Sequence, residues 1–325
     1  MKYNYLGRSG LKVSALGLGT NSFGGRADEA TSIRILNEAI ERGINFIDTA
    51  NIYTNTASET IIGKALAGGK RKDVILATKV GMPRGEAPNA GGSSRREIME
   101  QIDESLRRLQ TDYVDLYQIH TLDAKTPLEE TLRALDDLVR AGKVRYIGAS
   151  NYQAWELMKA LNISEREHLS RYVAIQPCYS LADRTVEVEL EPLCLSEGVG
   201  MIPYFPLAGG ILTGKYAGGQ TPSGSRIEKE PHFKQRLDEQ RIALGDAVQS
   251  LAQELGTTAG ALSIAWLMHR PSVSTVIVGA SRPEQVADNA VSTQIELSAE
   301  TLQRLDELSE PFKYTRPFAV FRPLA

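Results

Sequence analysis

The chain has 325 residues, of which 42% are hydrophobic and 24% charged. This is the balance of a globular protein with a sizeable core, not of a disordered or fibrous chain. A formal net charge of −3 gives no electrostatic reason to expect nucleic acid or an anionic membrane as a partner, and no apolar run approaches the roughly 20 residues that span a bilayer.

The opening residues, MKYNYLGRSGLKVSALGLGT, are broken by glycines and charges and make a poor secretory signal. The two cysteines, Cys178 and Cys194, read as reduced thiols of a cytoplasmic protein. The four scattered histidines offer no metal-ligand spacing.

In chain order, KYNYLG and LKVSALG flank Arg8-Ser9-Gly10, the pattern of a β-hairpin. Eight short β-type runs follow, at 13–20, 44–50, 74–79, 114–120, 144–151, 172–177, 200–205 and 274–281. Amphipathic stretches separate them. In 29–43, Ile33, Leu36 and Ile40 recur at helical spacing and Gly43 supplies a stop. In 94–109, Ile98, Ile102, Leu106 and Leu109 share one face. Residues 126–143 carry Pro127 near the start and Gly142 past the end. Strands that are apolar on both faces, alternating with helices, suit a parallel sheet covered by helices. Eight such units, with no GxGxxG after the first strand, predict a (β/α)8 TIM barrel. The expectation is a single domain over 1–325, with an N-terminal β-hairpin closing the barrel floor. An extra helix at 298–310 and an irregular C-terminal tail complete it. Trp155 and Trp266 fall within helices and read as packing residues.

Residues 205–238 break the alternation with a long Gly/Pro-rich loop, and loops of this length inside a compact domain are usually functional. Within it, GGILTGK (209–215) fits the spacing of a phosphate loop. Tyr216 then replaces the Ser or Thr that would bind magnesium, and a nucleoside-triphosphatase reading is rejected.

The chemistry lies at the strand ends. Barrels of this kind carry their sites at the C-terminal ends of the strands, where this chain has Asp48, Lys79, His120, Asn151 and Gln176 on consecutive units, with Tyr53 just beyond Asp48. Free tyrosine holds its proton too tightly for an efficient acid at neutral pH. A nearby lysine cation stabilises phenolate, and an adjacent aspartate keeps a buried lysine charged. Asp48 would therefore hold Lys79 charged, Lys79 would lower the Tyr53 pKa, and His120 would orient an oxygen that is gaining negative charge.

GINFIDTANIY, ILATKVG, DLYQIH, IGASNY, PYFPLAGGILTGKY and VIVGASRPEQVADN together resemble the aldo-keto reductase family over nearly the whole chain, in the family's order and spacing. The resemblance implies a catalytic tetrad of Asp48, Tyr53, Lys79 and His120, with Tyr53 as general acid in the reducing direction. It also implies NADPH, or less often NADH, bound without a Rossmann domain, and reduction of an aldehyde or ketone to an alcohol. Ser150, Asn151 and Gln176 match residues that hold the nicotinamide carboxamide, and Tyr204 matches the ring stacked on it. Gly19, Thr20, Asp48 and Gly279 complete the cofactor side of the barrel mouth.

Leu207, Gly209 and Lys215 are expected along the pyrophosphate, beneath the 205–238 loop. Arg282 is expected to meet the 2′-phosphate, with Ser281, Gln285 and Asn289 as adenosine-side contacts. The chain departs from the pattern at Thr54, where many members have Gly, and at Phe205, where many have Ser. Asn21 stands where a bulky apolar residue often lines the substrate pocket. A branch of the family that reduces carbon–carbon double bonds carries Glu where this chain has His120. The pocket walls are expected from 21–28, 83–94, 205–238 and the tail.

Two other readings compete. One is a Schiff-base lyase using Lys79. The other is a cofactor-sensing regulatory subunit on the same fold.

Overall fold

The computed structural model of the chain describes residues 1–216, 220, 228 and 236–315. Strands β1 (Tyr3–Tyr5) and β2 (Lys12–Ser14) pair antiparallel as the expected hairpin. Eight parallel strands then alternate with helices. They are β3 (Leu16–Gly19), β4 (Phe46–Asp48), β5 (Ile75–Val80), β6 (Val114–Ile119), β7 (Val144–Ser150), β8 (Tyr172–Gln176), β9 (Gly200–Met201) and β10 (Val276–Gly279). They stand in the order β10-β3-β4-β5-β6-β7-β8-β9. The remaining seam is closed by Met201 N donating to Ser272 O at 2.8 Å and Ser274 N donating to Met201 O at 2.9 Å. Ile277 N donates to Pro203 O at 3.1 Å across the same seam. The (β/α)8 barrel inferred from the alternation is the fold of the chain.

Leu6 and Val13 from the hairpin join Phe46, Ala77, Leu116, Ala174, Ile202 and Ile277 in an apolar cluster inside the barrel, so the hairpin plugs the floor and the opposite mouth is left for chemistry. The seventh strand is shorter than the expected 200–205 because Pro203 has no N–H to give to a ladder. The chain nevertheless keeps its course, with Tyr204 N donating to Pro177 O at 2.9 Å.

The outer layer follows the apolar stripes. Helix α1 (Glu29–Glu41) starts at Asp28, whose side chain accepts from Thr31 N. Helix α2 (Ala57–Leu66) follows the Tyr53 loop. Helix α3 (Arg95–Leu109) is capped by Ser94, and α4 (Leu128–Arg140) follows Pro127 as expected. Then come α5 (Ala154–Arg166), α6 (Leu190–Glu197), α7 (Glu239–Glu254), α8 (Ala259–Met268), α9 (Pro283–Ala290) and the extra helix α10 (Ala299–Ser309).

Trp266 on α8 is fully buried, as expected of a packing residue. Trp155 is not: it is 59% exposed, and its indole N–H donates to Gln153 Oε1. The buried face of α5 runs through Leu157, Ala160 and Leu161, so Trp155 faces away from it. Among the described residues no helix is long and apolar enough to cross a membrane, and no cluster of acidic, His or Cys side chains could hold a metal.

Candidate active site

Strand register assembles the site. Gly19 pairs with Asp48, Lys79 with Gln118, and Ser150 with Gln176, all at the C-terminal ends of adjacent strands. Asp48 and Lys79 point inward, and both are essentially inaccessible to water. Lys79 Nζ donates to Asp48 Oδ2 at 2.5 Å, to Thr49 O at 2.9 Å and to the Tyr53 hydroxyl at 3.4 Å. These three acceptors match the three donors of an ammonium.

The other oxygen of Asp48 accepts from Gln176 Nε2 at 2.9 Å and Gln118 Nε2 at 3.2 Å. The His120 ring meets the Tyr53 ring edge-on with centroids 5.9 Å apart. Asn151, at a left-handed φ of 57°, donates to His120 O and to Ser150 Oγ, and accepts from the Tyr204 hydroxyl at 2.6 Å.

The electrostatics follow from burial against charge. Burial works against the Lys79 cation, but Asp48 and Tyr53 outweigh it and hold the ammonium above its ordinary pKa of 10.5. Burial pushes His120 well below 6.5, and the Lys79 charge adds to that fall; the imidazole is neutral at pH 7. The Tyr53 phenol feels the expected downward pull of Lys79. Burial raises its pKa above 10.0, and the opposing pull of Lys79 does not overcome this. The sequence shows which charge is near the phenol but not the burial that opposes it.

Tyr53 and His120 open onto a cavity of about 400 Å³. Its wall includes Gly19, Thr20, Asp48, Ser150, Asn151, Gln176 and Tyr204 around the strand ends, and Leu207, Gly209 and Lys215 from the long loop. Gly279, Ser281 and Gln285 line the side near α9. Lys79 lies behind this wall. Arg282 is exposed where α9 begins, and neither it nor Asn289 lines the cavity. Phe205, at φ 55°, takes part in the wall beside Tyr204.

Asn21 and Arg26 line the cavity as the 21–28 expectation implied, but Met82 replaces the expected 83–94 loop. That loop is drawn back onto α3 by Arg84, which forks onto Glu97 at 2.8–3.1 Å. Arg236 also lines the cavity, within the 205–238 segment expected to wall it. Residues 217–219, 221–227 and 229–235 of the long loop, and 316–325 of the tail, lie outside the described residues.

The wall has the chemistry of a site for an extended anionic cofactor. Gly209 and Gly210 stand at φ 69° and 101°, a backbone that L side chains rarely adopt. They let the chain turn there, with Gly210 N donating to Leu207 O and Thr213 Oγ1 donating to Gly210 O, and the Lys215 side chain lies against Gly210. The start of α9 lies beside Ser281, and helix N-termini favour negative charge.

A closed barrel with a buried Lys–Asp pair, a phenol and a neutral imidazole at one mouth defines a family. The aldo/keto reductase family model matches residues 15–310, and the chain belongs to that family. It is 40% identical over 319 residues to "Uncharacterized oxidoreductase YrpG" of Bacillus subtilis, covering 95% of this chain and 96% of that one. It is 37% identical to a "Probable voltage-gated potassium channel subunit beta" of Arabidopsis thaliana, over 91% and 92% of the two chains. It is 35% identical to "Protein tas" of Escherichia coli, over 98% and 100%. A general oxidoreductase role is supported by this membership.

Proposed function

We propose that the chain reduces aldehydes or ketones to alcohols in the cytoplasm, with NADPH as hydride donor. The observation that carries this reading is the Lys79 ammonium, held 2.5 Å from Asp48 and 3.4 Å from the Tyr53 hydroxyl beside the cavity. When bound, the nicotinamide supplies a hydride to the carbonyl carbon.

The chain's own residues handle the proton and the oxygen. Tyr53 gives its proton to the oxygen as negative charge develops there, and the resulting phenolate faces the Lys79 cation. Asp48 keeps Lys79 protonated through that step. His120, neutral, offers one N–H to the same oxygen and so orients the carbonyl. Ser150, Asn151 and Gln176 are the proposed carboxamide contacts, and Tyr204 the stacking ring. Leu207, Gly209 and Lys215 would hold the pyrophosphate, while Arg282, Ser281, Gln285 and Asn289 would serve the adenosine end.

The same geometry disfavours the lyase reading. A lysine held protonated against a buried carboxylate has no lone pair with which to form a Schiff base. The regulatory reading gains from the relatives named as potassium channel subunits. Steady-state oxidation of NADPH against a panel of aldehydes and ketones separates the two. Turnover with matching alcohol formation supports the reductase. Tight NADPH binding with no turnover on any carbonyl would favour the regulatory subunit.

A further inference from the structure

The first turn of α2 carries Ser58 and Glu59, both fully buried, which neither touch the cavity nor belong to the tetrad. Ser58 Oγ lies 2.9 Å from Thr49 Oγ1, 2.9 Å from Thr20 Oγ1 and 3.0 Å from Thr20 O. Thr20 Oγ1 in turn donates to Asp48 O at 2.8 Å. A hydroxyl has one proton to give, so the chain has a direction. Thr49 donates to Ser58, Ser58 to Thr20, and Thr20 to the Asp48 carbonyl. Thr49 is the residue whose own carbonyl accepts from Lys79.

Glu59 makes the matching link on the next strand. Thr78, one residue before Lys79, donates to Glu59 Oε1 at 2.6 Å, and Arg108 on α3 donates to Glu59 Oε2 at 2.7 Å.

Side chains alternate along a strand, so each threonine faces the helix layer while its neighbour, Asp48 or Lys79, faces the site. The same helix turn also reaches the Tyr53 backbone. Ser58 N reaches Tyr53 O at 3.5 Å, and the intervening Thr54, Asn55 and Thr56 all have left-handed φ of 48°, 52° and 72°. Three consecutive non-glycine residues in that region are strained, and such strain persists only where the surroundings over-determine it. Thr54 is pinned by donating to Phe23 O. Gly63 lets α2 lie flush on α3, since a Cβ there would come within 2.3 Å of Arg108 O.

We propose that Ser58 and Glu59 are positioning residues that join the Tyr53 loop to the strands carrying Asp48 and Lys79, and so set the approach of Lys79 to the Tyr53 hydroxyl. This rests on the reductase reading for its kinetic consequence, but not for its geometric one.

The test uses Ser58→Ala, Thr49→Val and Thr78→Val, with Thr49→Ser restoring the hydroxyl. Two readouts are taken. One is kcat and KM for a carbonyl substrate and for NADPH. The other is the 13C resonance of the Tyr53 ring carbon bearing the hydroxyl, assigned with Tyr53→Phe. Small displacements of reacting groups cost up to about 100-fold in rate. The three hydroxyl deletions are expected to lower kcat by about 10- to 100-fold, with both KM values within about twofold of wild type. They are also expected to displace the Tyr53 resonance, with Thr49→Ser returning both toward wild type.

If Ser58→Ala fails to fold, the two threonine variants decide. Lower melting temperatures with unchanged kcat and an unmoved Tyr53 resonance would overturn the assignment. A wild-type protein with no turnover would remove the reductase reading, and the resonance alone would then decide the positioning role.

Discussion

Lys79 and Asp48 form an ion pair at 2.5 Å in which neither side chain is more than 2% exposed. A buried pair of this kind adds little net stability by itself, because desolvation offsets the attraction, but removing one partner strands a charge. The pair is therefore best understood by what it does to the third member, Tyr53.

If Lys79 presses on the phenol, Lys79→Met should raise the Tyr53 pKa further above 10. The direction follows from deleting the Lys79 charge, which opposes burial at the phenol. Ultraviolet titration of phenolate, with Tyr53→Phe as the reference, reads this directly. An unchanged titration would mean that the 3.4 Å contact carries no interaction.

His120 gives a stability prediction in acid. Its folded pKa is depressed well below 6.5 by burial and then by Lys79, so below 6.5 the unfolded chain binds a proton that the folded chain refuses. Stability therefore falls as pH drops from about 6.5 toward the folded pKa, by at most about 1.4 kcal/mol per pH unit from this residue. His120→Gln should flatten that part of the profile. Urea unfolding of both proteins between pH 7 and 5 checks it, and identical slopes would contradict the assigned burial effect.

Lys79 predicts the opposite limb. Its folded pKa lies above 10.5, so its contribution is complete below about 10.5 and is lost as pH rises through the folded value. Lys79→Met should be less stable at pH 8, with a gap to wild type that narrows above pH 10.5. A gap that stays constant or widens through that range would contradict it.

Cofactor choice is expected to rest on Arg282. A charge-assisted contact to a 2′-phosphate is worth roughly 1.5–3 kcal/mol, or about 10- to 150-fold in affinity. Wild type should bind NADPH more tightly than NADH, and Arg282→Ala should erase most of the difference while leaving NADH affinity nearly unmoved. Fluorescence titration of both cofactors reads this. Equal losses for both would mean that Arg282 holds the start of α9 instead.

Much of this site was legible because its signals are local. Asp48, Lys79 and His120 each close an apolar run, and the C-terminal ends of barrel strands meet at one mouth. Trp155 was misplaced because an aromatic inside a helical stretch looks like core until the whole buried stripe is laid out. Ser58 and Glu59 were missed for a different reason. On a helix's first turn, a small hydroxyl residue followed by Glu looks like ordinary N-terminal capping. Their partners Thr20 and Thr78 lie 38 and 19 residues away, and only barrel closure brings them together. The downward pull of Lys79 on the Tyr53 pKa was legible, but the net rise was not, because burial, its largest cause, has no local sequence signature.

The most direct test of the central claim is turnover by Tyr53→Phe, measured with NADPH and an enone substrate under chemistry-limited conditions, with the products identified. Positioned acids contribute about 10²–10⁴-fold to rate. Wild type should yield mainly the unsaturated alcohol, since His120 stands at the orienting position, and Tyr53→Phe should bind NADPH normally while kcat falls by at least about 100-fold. A Tyr53→Phe protein that keeps more than about half of wild-type turnover, or a wild type that produces mainly the saturated ketone, would contradict the account.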